Sequence, residues 1–182
     1  MTEFTDIELL EQFRKEETKH YAFNLLVQQY QQKVYWHIRR ILIDHDDTND
    51  VVQNVFIKIW KALDNFREDS KLFTWIYRIA TNEAITFLNQ KKKRFLIPLV
   101  NVEHELSNSL NSDPLFTGDE IERLLQKAIL KLPTQQRIVF NMKYYDRMKY
   151  EQMSEVLGVT VGALKASYHH AVKKIEKFVT RH

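Results

Sequence analysis

The stretch Lys149–Lys174, KYEQMSEVLGVTVGALKASYHHAVKK, leaves few conformations open to this chain. Two runs of helical period meet at Gly158. A residue without a Cβ takes the positive φ that ends a helix so abruptly at little cost. Met153, Val156 and Leu157 line the first run, and Val159 plugs the corner. Thr160 is suited to cap the next helix, because its hydroxyl accepts from the free backbone N–H groups of the first turn. The second run places Val161, Leu164, Tyr168, Ala171, Val172, Ile175 and Val179 on one stripe, with Gly162, Ala166, His169, His170, Lys173 and Lys177 opposite. This is a helix-turn-helix pattern. Small residues allow close approach to a groove, and polar or cationic ones meet base edges and phosphates. An ordinary amphipathic hairpin with a solvated basic face has the same spacing, so the rest of the chain has to separate the two.

Helical period continues through most of the 182 residues, and 3 Gly and 3 Pro are too few for a turn-dense β architecture. An all-α protein is expected. The absence of cysteine removes disulfide frameworks, thiolate metal sites and cysteine nucleophiles. No apolar run approaches the roughly 18 residues that cross a bilayer. The opening MTEFTDIELLEQFRKEE is acidic and amphipathic, without a signal-peptide pattern. A cytoplasmic protein with no membrane insertion is therefore expected. The net charge of +3 is unevenly placed: residues 119–182 hold 12 Lys and Arg against 7 Asp and Glu, while residues 1–92 hold 13 against 14. The basic excess surrounds the helix-turn-helix, where phosphate contacts need it.

The segment Arg94–Gly118, with Pro98, Pro114, Gly118 and several Ser and Asn, breaks the helical rhythm. It is expected to link an N-terminal domain (1–93) to a C-terminal domain (119–182), and its length suggests a functional or mobile connection. Four helices are expected before it, at Asp6–Lys15, Thr18–Ile43, Thr48–Leu63 and Lys71–Lys92. Four follow, at Asp119–Lys131, Pro133–Tyr145, Tyr150–Leu157 and Val161–Thr180.

Two of these helices have unusual outer faces. In Thr48–Leu63, Val51, Val52, Val55, Ile59, Ala62 and Leu63 point to a core, while Asp50, Gln53, Asn54, Lys58 and Lys61 lie opposite with Ile57 among them and Phe56 and Trp60 at the edges. An apolar residue within a polar face suggests docking to another protein, although a core helix with one exposed Ile reads the same way. In Lys71–Lys92, Leu72, Phe73, Ile76, Ala80, Ala84 and Phe87 point inward, and Lys71, Thr74, Trp75, Arg78, Asn82, Ile85 and Asn89 outward. Trp75 beside Arg78 suits stacking on unpaired bases. The polar run Asp64–Ser70 before it suits holding a base turned out of the duplex. The competing reading has Trp75 folding back on a neighbouring helix.

Catalytic and metal readings find no constellation. Asp44, Asp46, Thr48 and Asp50 alternate as in a calcium loop, but Asn49 and Val55 stand where that loop needs Gly and Glu. His169 and His170 are adjacent and so diverge by about 100° on a helix. There is no phosphate-binding Gly loop and no nucleophile elbow. Neither cofactor nor enzymatic activity is expected.

Taken in order, DDTNDVVQNVFIKIWKALDNFREDSKLFTWIYRIATNEAITFL and, after the linker, ILKLPTQQRIVFNMKYYDRMKYEQMSEVLGVTVGALKASYHHAVKKIEKF resemble an extracytoplasmic-function (ECF) sigma factor of bacterial RNA polymerase. The resemblance covers nearly all of the chain except the linker. It implies a first domain that binds the β′ clamp of core polymerase and opens the −10 promoter element. The second domain would recognise the −35 element and touch the β flap. It assigns polymerase contacts to Asp50, Gln53, Asn54, Ile57 and Trp60, and −10 contacts to Asn65, Arg67, Ser70, Lys71, Thr74, Trp75, Arg78 and Asn82. The −35 contacts fall on Thr160, Gly162, Ala163, Lys165, Ala166, Ser167, His169, His170 and Lys173. An anti-sigma partner is a family expectation. The family's recognition helix often reads Thr-Val-Lys-Ser-Arg-Leu, whereas this chain has Ala163-Leu164-Lys165-Ala166-Ser167-Tyr168, and His170 stands where a second Arg is frequent. Bidentate Arg–guanine contacts are therefore missing there, and a different −35 sequence or more shape readout is implied. The alternative is a stand-alone helix-turn-helix regulator with a ligand-sensing or dimerising N-terminal domain. That alternative leaves Trp75 beside Arg78, the exposed Ile57 and the long linker unexplained together.

Overall fold

Three of the described helices start where a side chain accepts from the free N–H groups of the first turn. Thr5 accepts from the Glu8 N–H, and the Glu8 carboxylate accepts from Thr5 in return, which starts α1 (Asp6–Phe13). Asp44 accepts from the Asp47 N–H at 2.9 Å and starts α3 (His45–Ala62) three residues before the expected Thr48. The acidic alternation that resembles a calcium loop is thus a cap and first helical turn, where negative charge meets the positive end of the helix dipole. Thr160 accepts from the Ala163 N–H at 3.3 Å, as expected.

The computed structural model describes residues 4–95 and 120–181. Among them are eight α-helices, one short 3-10 turn and no strand. Besides α1 and α3, the helices are α2 (Lys19–Leu42), α4 (Leu72–Phe95), α5 (Glu120–Leu130), α6 (Thr134–Tyr144), α7 (Tyr150–Leu157) and α8 (Val161–Val179). Every expected helix is present, with ends within a few residues. α4 runs on to Phe95 and takes in the first two residues of the expected linker; residues 96–118 of that linker lie outside the described residues.

α2 is the axis of the N-terminal domain and packs against α1, α3 and α4. Leu26, Val34, Ile38 and Ile41 of α2 meet Val55 and Ile59 of α3 and Ile76, Ala80 and Ala84 of α4, and all are buried. In the C-terminal domain, α5, α6 and α8 enclose a smaller core of Ala128, Ile129, Leu132, Phe140, Ala171 and Ile175.

The larger core does not stop at the domain boundary. It continues into Ile138, Val139 and Met142 of α6, Met148, Met153 and Val156 around α7, and Leu164 of α8. α7 packs against α4, and α6 against α2. Full burial of apolar side chains of this size contributes about 1.5–3 kcal/mol each. The two domains therefore share one apolar interior.

Candidate nucleic-acid interface

Gly158 takes φ 66° and ψ 26° and ends α7, as its position in the sequence predicts. The turn sets α8 with Leu164, Ala171 and Ile175 buried. On the far side Thr160, Gly162, Ala163, Lys165, Ala166, His169, His170 and Lys173 are exposed, and Ser167 is half-buried at the edge. Lys165 Nζ lies 5.8 Å from the centroid of the Tyr150 ring, and Lys143 Nζ 4.7 Å from the same ring. Tyr150 opens α7 and so collects two cations beside the first turns of α8. Sequence reading missed it because its position in α7 is an ordinary amphipathic one.

The second candidate surface begins after α3. The 3-10 turn Leu63–Asn65 leads into Phe66, which is buried, and the chain then reverses at Glu68 with φ 61°. Arg14 pairs with Glu68 and holds the loop against α1. Asn65, Arg67 and Lys71 are exposed, and Ser70 is half-buried. On α4, Asn82 is exposed as expected, but three expectations need correction. Thr74 is 1% exposed rather than outward, because α7 packs on that side of α4. Trp75 is half-buried with its ring centroid 4.9 Å from that of Phe66, so it packs on the preceding loop instead of standing free on the outer face. Arg78 is half-buried too, and its Nε donates to the Glu155 carbonyl of α7 at 3.0 Å.

The third surface is the outer face of α3. Asp50, Gln53, Asn54 and Ile57 are exposed, and Ile57 is 45% exposed within polar neighbours. Trp60 is different. It is half-buried, with ring centroids of Phe13 at 5.4 Å, Phe23 at 5.0 Å and His20 at 4.9 Å. Its main contacts are thus within the domain, and only an edge is left for a partner. Lys58 pairs with Glu83 and Lys91 with Asp47, which fixes α3 against α4. The second and third surfaces therefore belong to adjacent, packed helices of the N-terminal domain. Among the described residues, no helix is long and apolar enough to cross a membrane.

The comparisons with known proteins agree with this arrangement. The Sigma-70 region 2 family matches residues 26–94, and the Sigma-70 region 4 family matches residues 122–175. The ECF RNA polymerase sigma-E factor of Escherichia coli strain K12 is 33% identical over 185 aligned positions, covering 97% of this chain and 95% of that protein. The RNA polymerase sigma-H factor of Pseudomonas aeruginosa is 31% identical over the same length and coverage. Among solved structures, CnrH in complex with the cytosolic domain of CnrY is similar with a TM-score of 0.69 at 23% identity, over 95% of this chain and 96% of that one. The sigma factor RpoE in complex with the anti-sigma factor NepR from Bartonella quintana also gives 0.69, at 17% identity, over 87% and 96%. With a helix-turn-helix at one end, a helix with a polar outer face at the other and similarity to sigma-E over 97% of its length, the chain belongs to the ECF sigma factors, the subunits that give bacterial RNA polymerase its promoter specificity.

Proposed function

We propose that three surfaces of this chain divide the work of promoter recognition. The outer face of α3, centred on Asp50, Gln53, Asn54 and Ile57, docks on the β′ clamp of core polymerase, with the free edge of Trp60 at its margin. The loop of Asn65, Arg67, Ser70 and Lys71 and the adjoining face of α4, with Trp75, Arg78 and Asn82, hold the opened −10 strand. The first turns of α8 read −35 base edges through Ala163, Lys165 and Ser167. Its later cations, Lys173 foremost, meet phosphates. The working domains are 1–93 and 119–182, joined by 94–118, and the C-terminal one also touches the β flap.

The observation that carries the reading is Ile57, a branched apolar side chain 45% exposed on a face that carries Asp50, Gln53, Asn54, Lys58 and Lys61, while Val51, Val55 and Ile59 on the opposite face are buried. Such a residue has little to do in a monomer and much to do against a partner. The structural neighbour RpoE of Bartonella quintana is bound to an anti-sigma factor, which supports a partner of that kind here as well. The protein acts in the cytoplasm, without catalysis of its own. Co-purification with core polymerase tests the assignment: the wild-type chain is retained, and Asp50→Ala with Gln53→Ala is retained poorly while its helical circular dichroism is unchanged. Equal retention of both would remove α3 from the interface. The stand-alone regulator requires DNA binding of full strength without polymerase, and nothing in the arrangement favours it.

A further inference from the structure

We propose that Arg14 and Lys19, two cations at the corner between α1 and α2, are positioning residues for the −10 loop: they tie down its acidic side chains and so hold out Asn65 and Arg67 to meet the unpaired base. This rests on the assignment of the loop to the −10 strand made above, and it adds what gives that loop its shape.

From Asp64 to Glu68, tied and free side chains alternate. Asp64 accepts from Lys19 Nζ at 2.7 Å. Phe66, at the centre, is buried beside the ring of Trp75. Glu68 pairs with Arg14. Between these three anchors stand Asn65 and Arg67, both exposed. The two residues assigned to the base are therefore the ones the loop leaves outward, and their direction is set by their neighbours.

The ties come from a braced corner. Thr18 Oγ1 donates to the Gln12 carbonyl at 2.7 Å and closes the turn that carries Arg14 and Lys19. The Lys19 side chain is only 19% exposed. Its Nζ lies 5.0 Å from the centroid of the Phe13 ring and 5.6 Å from that of Trp60, so the two rings aim the ammonium at Asp64 and leave little of it for a phosphate. At the other tie, Glu68 has φ 61°, which residues with a Cβ rarely adopt. Such a backbone persists where its surroundings determine it, and here these are the Arg14 pair and the Phe66 anchor. Exposed ion pairs are individually weak. These two act together, on either side of one buried ring. They also neutralise two carboxylates that would otherwise repel the phosphates of a strand lying on the loop.

The test uses holoenzyme at saturating core polymerase, with a promoter pool whose −10 segment is randomised and mismatched so that it is already unpaired. Wild-type holoenzyme should favour one base at one position or more by at least about fivefold, the lower end for a specific base contact. Arg14→Met with Lys19→Met removes both charges and keeps an apolar stem on Phe13 and Trp60. It should lower that preference by about fivefold, within what two exposed ion pairs supply, and leave the salt slope of binding unchanged. Asp64→Ala with Glu68→Ala breaks the same pairs from the loop side. It should relax the preference equally, and it stands in if the first variant loses helical circular dichroism. Arg14→Lys with Lys19→Arg keeps both charges and should select as the wild type does. An unchanged preference in both pair-breaking variants would overturn the proposal. So would an equal loss for all sequences with a salt slope smaller by about one per cation, which marks Arg14 and Lys19 as phosphate contacts. Asn65→Ala with Arg67→Ala separates this from the assignment beneath it. If that variant selects as the wild type does, the loop is not the −10 reader and the functional reading falls. If it loses the preference while the pair-breaking variants keep theirs, only the positioning role falls.

Discussion

Gly158 shows how much one residue decides. With φ at 66° it sits where an L side chain is strained, yet an added Cβ would meet no heavy atom within 4 Å. Gly158→Ala therefore carries a backbone cost without a clash, about 1 kcal/mol. For a chain of this size that lowers the thermal midpoint by roughly 2–4 °C, measurable by calorimetry. At the other end of the scale of effects, Lys173 is exposed. Lys173→Ala should leave stability unchanged, weaken holoenzyme binding to all promoters alike and reduce the salt slope by about one. Substitutions at Ala163, Lys165 or Ser167 should instead change which sequence is selected from a randomised −35 library. Gly158 and Thr160 were legible in sequence because turn and cap chemistry is local. Asp146 and His37 were not: the partner of each is about a hundred positions away, and no local pattern encodes that pairing.

At the scale of the element, α3 and α4 show where periodicity succeeds and where it stops. In α3, Val51, Val55 and Ile59 are buried as expected, Val52 and Ala62 only half so, and Asp50, Gln53 and Ile57 are exposed as expected. The same 100° arithmetic places Thr74 of α4 on an outer face, but it has no means of knowing that α7 comes to rest there. A signal was present elsewhere: Arg137 and Asn141 fall on the inward register of α6 between Ile138, Val139 and Met142. Polar groups at core positions usually have a specific partner, here the end of α2. Trp75 tests the two roles of an aromatic on α4. Trp75→Ala should reduce permanganate reactivity of unpaired thymines in the open complex more than it reduces initial promoter binding. Trp75→Phe, which retains a ring against Phe66, should restore stability before it restores opening. If both variants form a normal bubble, Trp75 only packs.

Over the whole molecule, the tyrosines tie stability to pH. Burial pushes the Tyr30 phenol well above its ordinary range, and the hydrogen bond it donates to Asp6 at 2.7 Å adds to this. Burial raises Tyr77 and Tyr145 as well, the latter opposed in part by Arg40 across the domain seam. The native state keeps these protons at a pH where the unfolded chain, with phenols near about 10, has released them. The unfolded state then binds fewer protons, so stability falls as pH rises from about 10 upwards and is unaffected below that. Tyr30 alone should account for about 1.4 kcal/mol per pH unit in that window. Urea unfolding from pH 8 to 11 measures the slope. Tyr30→Phe should be less stable at pH 8, by about 1 kcal/mol for the lost bond to Asp6, but should have a shallower alkaline slope, so that the curves of variant and wild type converge as pH rises. Parallel curves would mean that Tyr30 ionises as freely in the folded chain as in the unfolded one, and that α1 is not held on α2 by this buried phenol.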